Sequence, residues 1–265
     1  MNCACAGCAW QSRMRERALP PDDGSCQVTW SIIARERESG KFGIAVATRF
    51  FAVGALVPHT AAGLGAVATQ ALVNRHYGVK GLDLLRAGES AAAMLHKLVA
   101  ADAGRDHRQV HVMDGEGRFA AHTGASCVFW CGHIEHQDFS VAGNMLAGAA
   151  VLHATASAYQ AAHALPFARR LIAALRAGEA AGGDKRGKQS AALRIQGEED
   201  WPDLDLRVDD HPDPLAELER LETVSREYFV HFARFLPGRR DPVGITDRAV
   251  LEREVASAVA AGDTQ

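Results

Sequence analysis

No run of this sequence approaches the roughly 18 to 20 consecutive apolar residues that a membrane-spanning helix needs; the longest candidates are broken by Gly, Arg or His. A dominant charge is also missing. Twenty-nine Lys and Arg face 32 Asp and Glu, a formal net charge of −3, so no global field gathers nucleic acid or an anionic membrane. A small molecule is the expected partner. The six cysteines form no regular framework, and Cys3, Cys5 and Cys8 lack the second ligand pair of a zinc finger. With ample core to bury, such a chain reads as cytoplasmic, with free thiols at Cys26, Cys127 and Cys131. Residues 1–28 hold no apolar stretch of signal-peptide length and read as an irregular leader or propeptide.

What is present is a globular composition: 48% hydrophobic and 23% charged residues suffice for one full core. From Thr29 the texture becomes strand-like. TWSIIARERESGKFGIAVAT carries two β-branched runs around Ser39-Gly40, a hairpin pattern. FFAVGALVPHT and GLGAVATQAL read as a second strand pair bending at Gly63 and Gly65. Helical periodicity follows over 78–85 and 91–99, the second capped by Ser90. Strands return in HRQVHVMD, EGRFAAHTG and FSVAGNML, then helices over 149–163 and 167–177, then the strand GKQSAALRIQ. Strand runs separated by helix pairs predict antiparallel sheets with helices outside, an α+β fold. Residues 29–197 are assigned to this domain. Residues 198–265 are assigned to an acidic, Pro-containing linker and a helical arm, with one helix expected from Leu215 to Phe235.

Thr29 opens the first strand. This start resembles that of N-terminal-nucleophile (Ntn) hydrolases, where a terminal Thr, Ser or Cys attacks and its own α-amine, with a pKa near about 8, serves as base. The remainder of the chain resembles the domain of unknown function 1028 family, generally grouped with Ntn hydrolases by fold. The matching elements are Thr29-Trp30-Ser31-Ile32, FFAVGALVP, GAVATQALVN with YGVKGLDLLRAG, DHRQVHVMD, HTGASCVFWCGH, GNMLAG, GGDKRGKQSAALRI, DLRVDDHPDPLAEL and RFLPGRRDPVGITD. Family members typically carry Met directly before the Thr, whereas 28 residues precede it here; Ala142 and Arg75 also depart from the usual Gln and Pro.

The resemblance implies a four-layer αββα sandwich of two antiparallel sheets with a helical C-terminal arm, hydrolysing a carbon–nitrogen bond other than a peptide bond in a small molecule. Thr29 is then the nucleophile. Asn74 and Asn144 are candidates for holding the oxyanion, their bland alternative being turn formation. Asp184, in the loop GGDKRGKQ, is the candidate to orient the amine, and Lys185 of that loop is a candidate substrate ligand. Gln70, Arg49, Trp130 and His133 complete the substrate-binding candidates, with a solvated Arg49 and a structurally packed Trp130 as ordinary alternatives. No cofactor is expected. A homo-oligomer is expected, as is activity without a metal, because His107, His111, His122, His133 and His136 lack a recognised ligand spacing. Two rival readings keep other classes open: a catalytically silent ligand-binding homo-oligomer of the same fold, and a His-ligated metal hydrolase.

Overall fold

The computed structural model describes residues 29–183 and 187–262; the leader, Asp184, Lys185 and Arg186 lie outside the described residues. Two antiparallel sheets stack between helices. The first contains β1 (Thr29–Arg35), β2 (Phe42–Thr48), β7 (Trp130–Glu135), β8 (Phe139–Leu146), β9 (Ser190–Gln196) and β10 (Leu204–Val208), ordered β10-β9-β2-β1-β8-β7. The second contains β3 (Pro58–Ala61), β4 (Gly65–Ala71), β5 (Arg108–Asp114) and β6 (Phe119–Thr123), in that order. β1 sits at the centre of the larger sheet, hydrogen-bonded on both sides.

Alternation along the strands explains the layering. Trp30, Ile32 and Ala34 project from β1 into a core shared with Leu171, Leu175 and Val151, which come from α3 (Ala150–Ala161) and α4 (Phe167–Ala180). Ile33 projects to the opposite face, where Ile44, Val46, Ala66, Ala68 and Met113 fill the space between the sheets. Beyond the second sheet, Val67, Val110 and Val112 pack on Tyr77, Met94 and Leu98 of α1 (His76–Arg86) and α2 (Ala91–Ala101). Strands apolar on both faces therefore give four layers, helix, sheet, sheet, helix, as expected. Ser90 caps α2 by accepting from Ala93 N at 3.3 Å. Gly178 lets α4 approach β1: a Cβ there would stand 2.3 Å from Thr155 Oγ1 and 2.9 Å from Trp30 Nε1.

Three strands and one helix differ from the sequence expectation. FFAVGALVPHT contributes only the short β3; its first part forms a bend and a 3₁₀ turn at Val53–Ala55, with Ala52 left-handed at φ 55°. HTGASCVFWCGH contains a strand, β7, that its mixed composition concealed. The acidic segment supplies β10, an edge strand pairing with β9, where a linker or edge-packing arm was expected.

The helix expected from Leu215 to Phe235 is two helices, α5 (Pro214–Ser225) and α6 (Phe229–Ala233), followed by α7 (Arg248–Ala260). Only the first half of the apolar stripe meets the body: Leu215 and Leu218 are fully buried against α4 and the β9–β10 edge, whereas Val224 is 41% exposed. The helix breaks at Ser225, whose hydroxyl turns back onto Glu222 O at 2.7 Å, and α6 resumes on a new line with Val230 against the same core and His231 buried. α5 thus packs on its own domain. Leu218→Ala is expected to lower unfolding free energy by about 2–4 kcal/mol in urea titrations, and Val224→Ala by no more than about 0.5 kcal/mol.

Candidate functional site

Four strands of the larger sheet end side by side. Their paired residues form a row of small polar groups, Ser190, Thr48, Thr29 and Asn144, in register across β9, β2, β1 and β8. Across the interlayer, Gln70, Gln109 and Thr123 form a matching row over β4, β5 and β6. All but Thr123 are buried. Moving inward, Ser31 and His111 come next, and apolar side chains fill the space beyond. The interlayer is therefore polar at the Thr29 end and apolar elsewhere.

Unpaired polar atoms in such a place would cost about 1–3 kcal/mol each, so their hydrogen bonds are tightly specified. Gln109 Nε2 faces two backbone carbonyls, Gly132 O at 3.0 Å and Gly143 O at 2.9 Å. Carbonyls only accept, so the amide nitrogen must lie there and Oε1 must point the other way. That oxygen accepts from Gln70 Nε2 at 2.8 Å and Asn144 Nδ2 at 3.1 Å. Gln70 Oε1 in turn accepts from Ser31 Oγ at 2.6 Å. Having spent its one proton, Ser31 must accept from His111 Nε2 at 2.9 Å, and His111 Nδ1 then accepts from Ser140 Oγ at 3.1 Å. Two glycine carbonyls thereby fix every donor and acceptor down to the tautomer of His111.

Burial depresses the His111 pKa to about 3, helped by the charge of His133, so the imidazole stays neutral. Asn144 Oδ1 is the one atom of the chain of amides left buried without a partner. Asn144 stands opposite Thr29 in register, its Nδ2 3.5 Å from Thr29 O, and Thr29 Oγ1 donates to Thr48 Oγ1 at 3.2 Å. Backbone strain collects at the same end: Ala71, Met145 and Phe129 hold φ of 66°, 57° and 56°, each directly beside Gln70, Asn144 or Trp130.

Thr29, Asn144 and Gln70 thus come together. Gln70 uses both ends of its amide inside the network. Arg49 is the exposed residue following Thr48. Trp130 opens β7 beside a bulge and leans on the helix-side core, while His133 Nδ1 meets Thr123 Oγ1 at 2.9 Å. Asn74 is engaged elsewhere. Its Nδ2 donates to Asp102 at 3.1 Å, its Oδ1 accepts from His76 N at 3.1 Å, and Thr69 Oγ1, on the helix face of β4, donates to its carbonyl. Burial of Asp102 opposes ionisation, but hydrogen bonds, led by that from Asn74, hold its pKa to about 2. Asp184 and Lys185 lie outside the described residues, but their loop leaves α4 at Gly183, whose carbonyl accepts from Ala147 N, and returns at Gln189, whose N donates to Thr48 O. Both ends of the loop flank the polar row.

Ser31, Thr48, Gln109, Ser140 and Thr123 were not singled out from sequence. Their signal was polarity on the inward period of otherwise apolar strands, as in Gln109 and His111 of β5. Both ring nitrogens of His111 are committed, His122 Nε2 contacts Arg105 O, and among the described residues no three His, Cys, Asp or Glu side chains converge as a ligand set. A cleft of about 540 Å³ lies at the far end of β1, lined by Arg35, Arg37, Arg118, Glu116 and Asp138. Its charges pair with one another, Arg37 with Asp138 and Arg118 with Glu116.

Gln109→Leu keeps the volume but strands two buried carbonyls, and should cost about 2–4 kcal/mol in chemical denaturation. His111 makes a separate pH signature. Its folded pKa lies below its unfolded value, so the unfolded chain takes up the proton first as pH falls. Stability is lost from about pH 6.5 downward, at up to about 1.4 kcal/mol per pH unit, until the folded pKa is reached. His111→Gln should unfold with a flatter pH dependence between about pH 6 and 4 than the parent; equal slopes would rule out a neutral buried imidazole.

Comparison with known proteins accords with this architecture. No curated protein matches the chain significantly. Among solved structures, protein SPO2555 from Silicibacter pomeroyi, of the family model DUF1028, superposes with a TM-score of 0.77 at 34% identity, covering 83% of this chain and 100% of that one. Anbu (ancestral beta-subunit) from Yersinia bercovieri aligns over 79% and 98% of the two chains at a TM-score of only 0.35 and 11% identity, a likeness too distant to carry an argument. The model of the family of unknown function DUF1028 matches residues 29–218, from the first residue of β1 into α5, and the chain belongs to that family.

Proposed function

We propose that this chain is an N-terminal-nucleophile amidohydrolase that cleaves an amide, ureido or N-acyl carbon–nitrogen bond of a small molecule, with Thr29 Oγ1 as nucleophile. The observation that carries the reading is the place of Thr29: first residue of the central strand, side chain turned into the polar end of the interlayer, opposite an Asn144 whose Oδ1 has no partner.

Once the Val28–Thr29 bond is open, the freed α-amine takes the Oγ1 proton and Oγ1 attacks the substrate carbonyl carbon. Asn144 Oδ1 supplies an uncommitted acceptor next to Thr29, suited to orienting that amine. The tetrahedral oxyanion needs donors already aimed at it; the amide nitrogens of Gln70, Gln109 and Asn144 are spent within the network, so backbone N–H groups at the strand ends serve. Collapse expels the amine with the proton, and water, activated by the same α-amine, hydrolyses the acyl ester. Arg49, one residue past Thr48, is positioned at the rim to grip a substrate carboxylate through its planar fork, and His133, held by Thr123, forms part of the facing wall, whereas Trp130 serves the helix-side core.

Three measurements bear on this. The mature protein should begin at Thr29 by N-terminal sequencing; a homogeneous preparation retaining residues 1–28 that turns substrate over at full rate would sink the mechanism. On correctly trimmed protein, Thr29→Ala should abolish turnover, a loss of at least about a thousandfold, with the fold and binding retained, while Thr29→Ser should keep measurable activity because Oγ and the amine survive. kcat/KM should fall as pH drops below the α-amine pKa of about 8. Binding without any hydrolysis by the trimmed parent would favour the silent ligand-binding reading.

A further inference from the structure

Cys127 and Cys131 stand four residues apart where the chain enters β7, and both are free thiols, half-buried. The segment doubles back on itself: Cys127 N donates to Gly124 O at 3.1 Å, Phe129 is left-handed at φ 56°, and Cys131 Sγ comes within 3.7 Å of Cys127 O. Cys127 Sγ lies 3.4 Å from Arg108 O, which ties the turn to β5. Two cysteines four apart in an extended strand would stand about 13 Å apart; the turn instead seats the Cys131 sulfur against the backbone of Cys127.

We infer that Cys127 and Cys131 are a redox-active pair that closes to a reversible disulfide, clasping the turn at the rim of the Thr29 site. The contact is polarised. The neighbouring Cys127 side chain pulls the Cys131 pKa down against the effect of burial, and Cys131, with burial, pushes Cys127 up. Cys131 is therefore the attacking thiolate and Cys127 the resolving thiol. With a low-molecular-weight disulfide as oxidant, the Cys131 thiolate attacks one sulfur and releases the other half as a thiolate. Cys127, its proton passing to that thiolate, then displaces the second half, so two protein thiols are oxidised while one small disulfide is reduced to two thiols. With a peroxide, Cys131 becomes a sulfenic acid and Cys127 expels water.

The turn borders the network. Trp130 lies between the two cysteines and pairs with Leu146, and Gly132, next after Cys131, gives its carbonyl to Gln109. Closing the pair fixes the segment that carries both.

The test uses the full-length parent chain, reduced, freed of reductant, treated with oxidised glutathione, alkylated and digested with chymotrypsin. Cleavage after Phe129 or Trp130 separates the two cysteines unless a disulfide joins them. The expected product is the Cys127 and Cys131 peptides recovered as one species lacking two hydrogens and separable by reductant. Cys127→Ser should leave glutathione held on Cys131, and Cys131→Ser should slow capture of glutathione by this segment by about tenfold or more. Recovery of both thiols alkylated after treatment overturns the inference, and so does a Cys131 bonded to Cys3, Cys5, Cys8 or Cys26.

Discussion

The architecture near Thr29 depends on one interaction, the hold of Gln109 Nε2 on the carbonyls of Gly132 and Gly143. A single amide on β5 of the second sheet reaches across the interlayer to both β7 and β8 of the first. Hydrophobic contact alone presses the sheets together without setting their relative position. Directional bonds to two neighbouring strands set it, and the remaining members of the network take their donor and acceptor senses from that anchor. Asn144 is aimed this way, and its unpaired oxygen results from an ordering that begins at its direct partner across the interlayer.

The same order explains the division of labour along the sandwich. Ile33, Ile44, Val46 and Met113 supply non-directional burial, each worth about 1.5–3 kcal/mol when removed from water, and tolerate small shifts. The polar end tolerates none, since a buried amide out of place forfeits its bonds. Strained backbone at Ala71, Met145 and Phe129 is held there because the surrounding bonds over-determine it.

Much of this was legible in the sequence, for identifiable reasons. The β-branched runs in TWSIIAR and FGIAVAT, the Ser39-Gly40 turn and the Ser90 cap are local signals, and each element stands where they predict it. Grouped strands and helices pointed to antiparallel sheets with helices outside, and the four-layer αββα order came from the resemblance. β7 and β10 were missed because their sequences, WCGHIE and LDLRV, are those of half-exposed edge strands, where one face need not be apolar. The break after Ser225 was invisible because helical spacing persists through Tyr228 and Phe232, whereas the residues that pack beyond it, Val230 and His231, lie off that spacing. Thr29 and Asn144 were found through resemblance. Their pairing in register, and the displacement of Asn74 to the Asp102 side of the second sheet, are properties of strand order, which no local window contains.

The fixed senses of the amides have a consequence for how such a sequence can drift. Gln70, Gln109 and Asn144 are three positions, yet each is correct only in company. An acid at one of them would set oxygen against oxygen, and an apolar side chain would orphan its neighbours. Viable change at this end therefore has to be concerted, so the three behave as one inherited character, while the apolar rows beyond can wander singly through Val, Ile, Leu and Met at small cost.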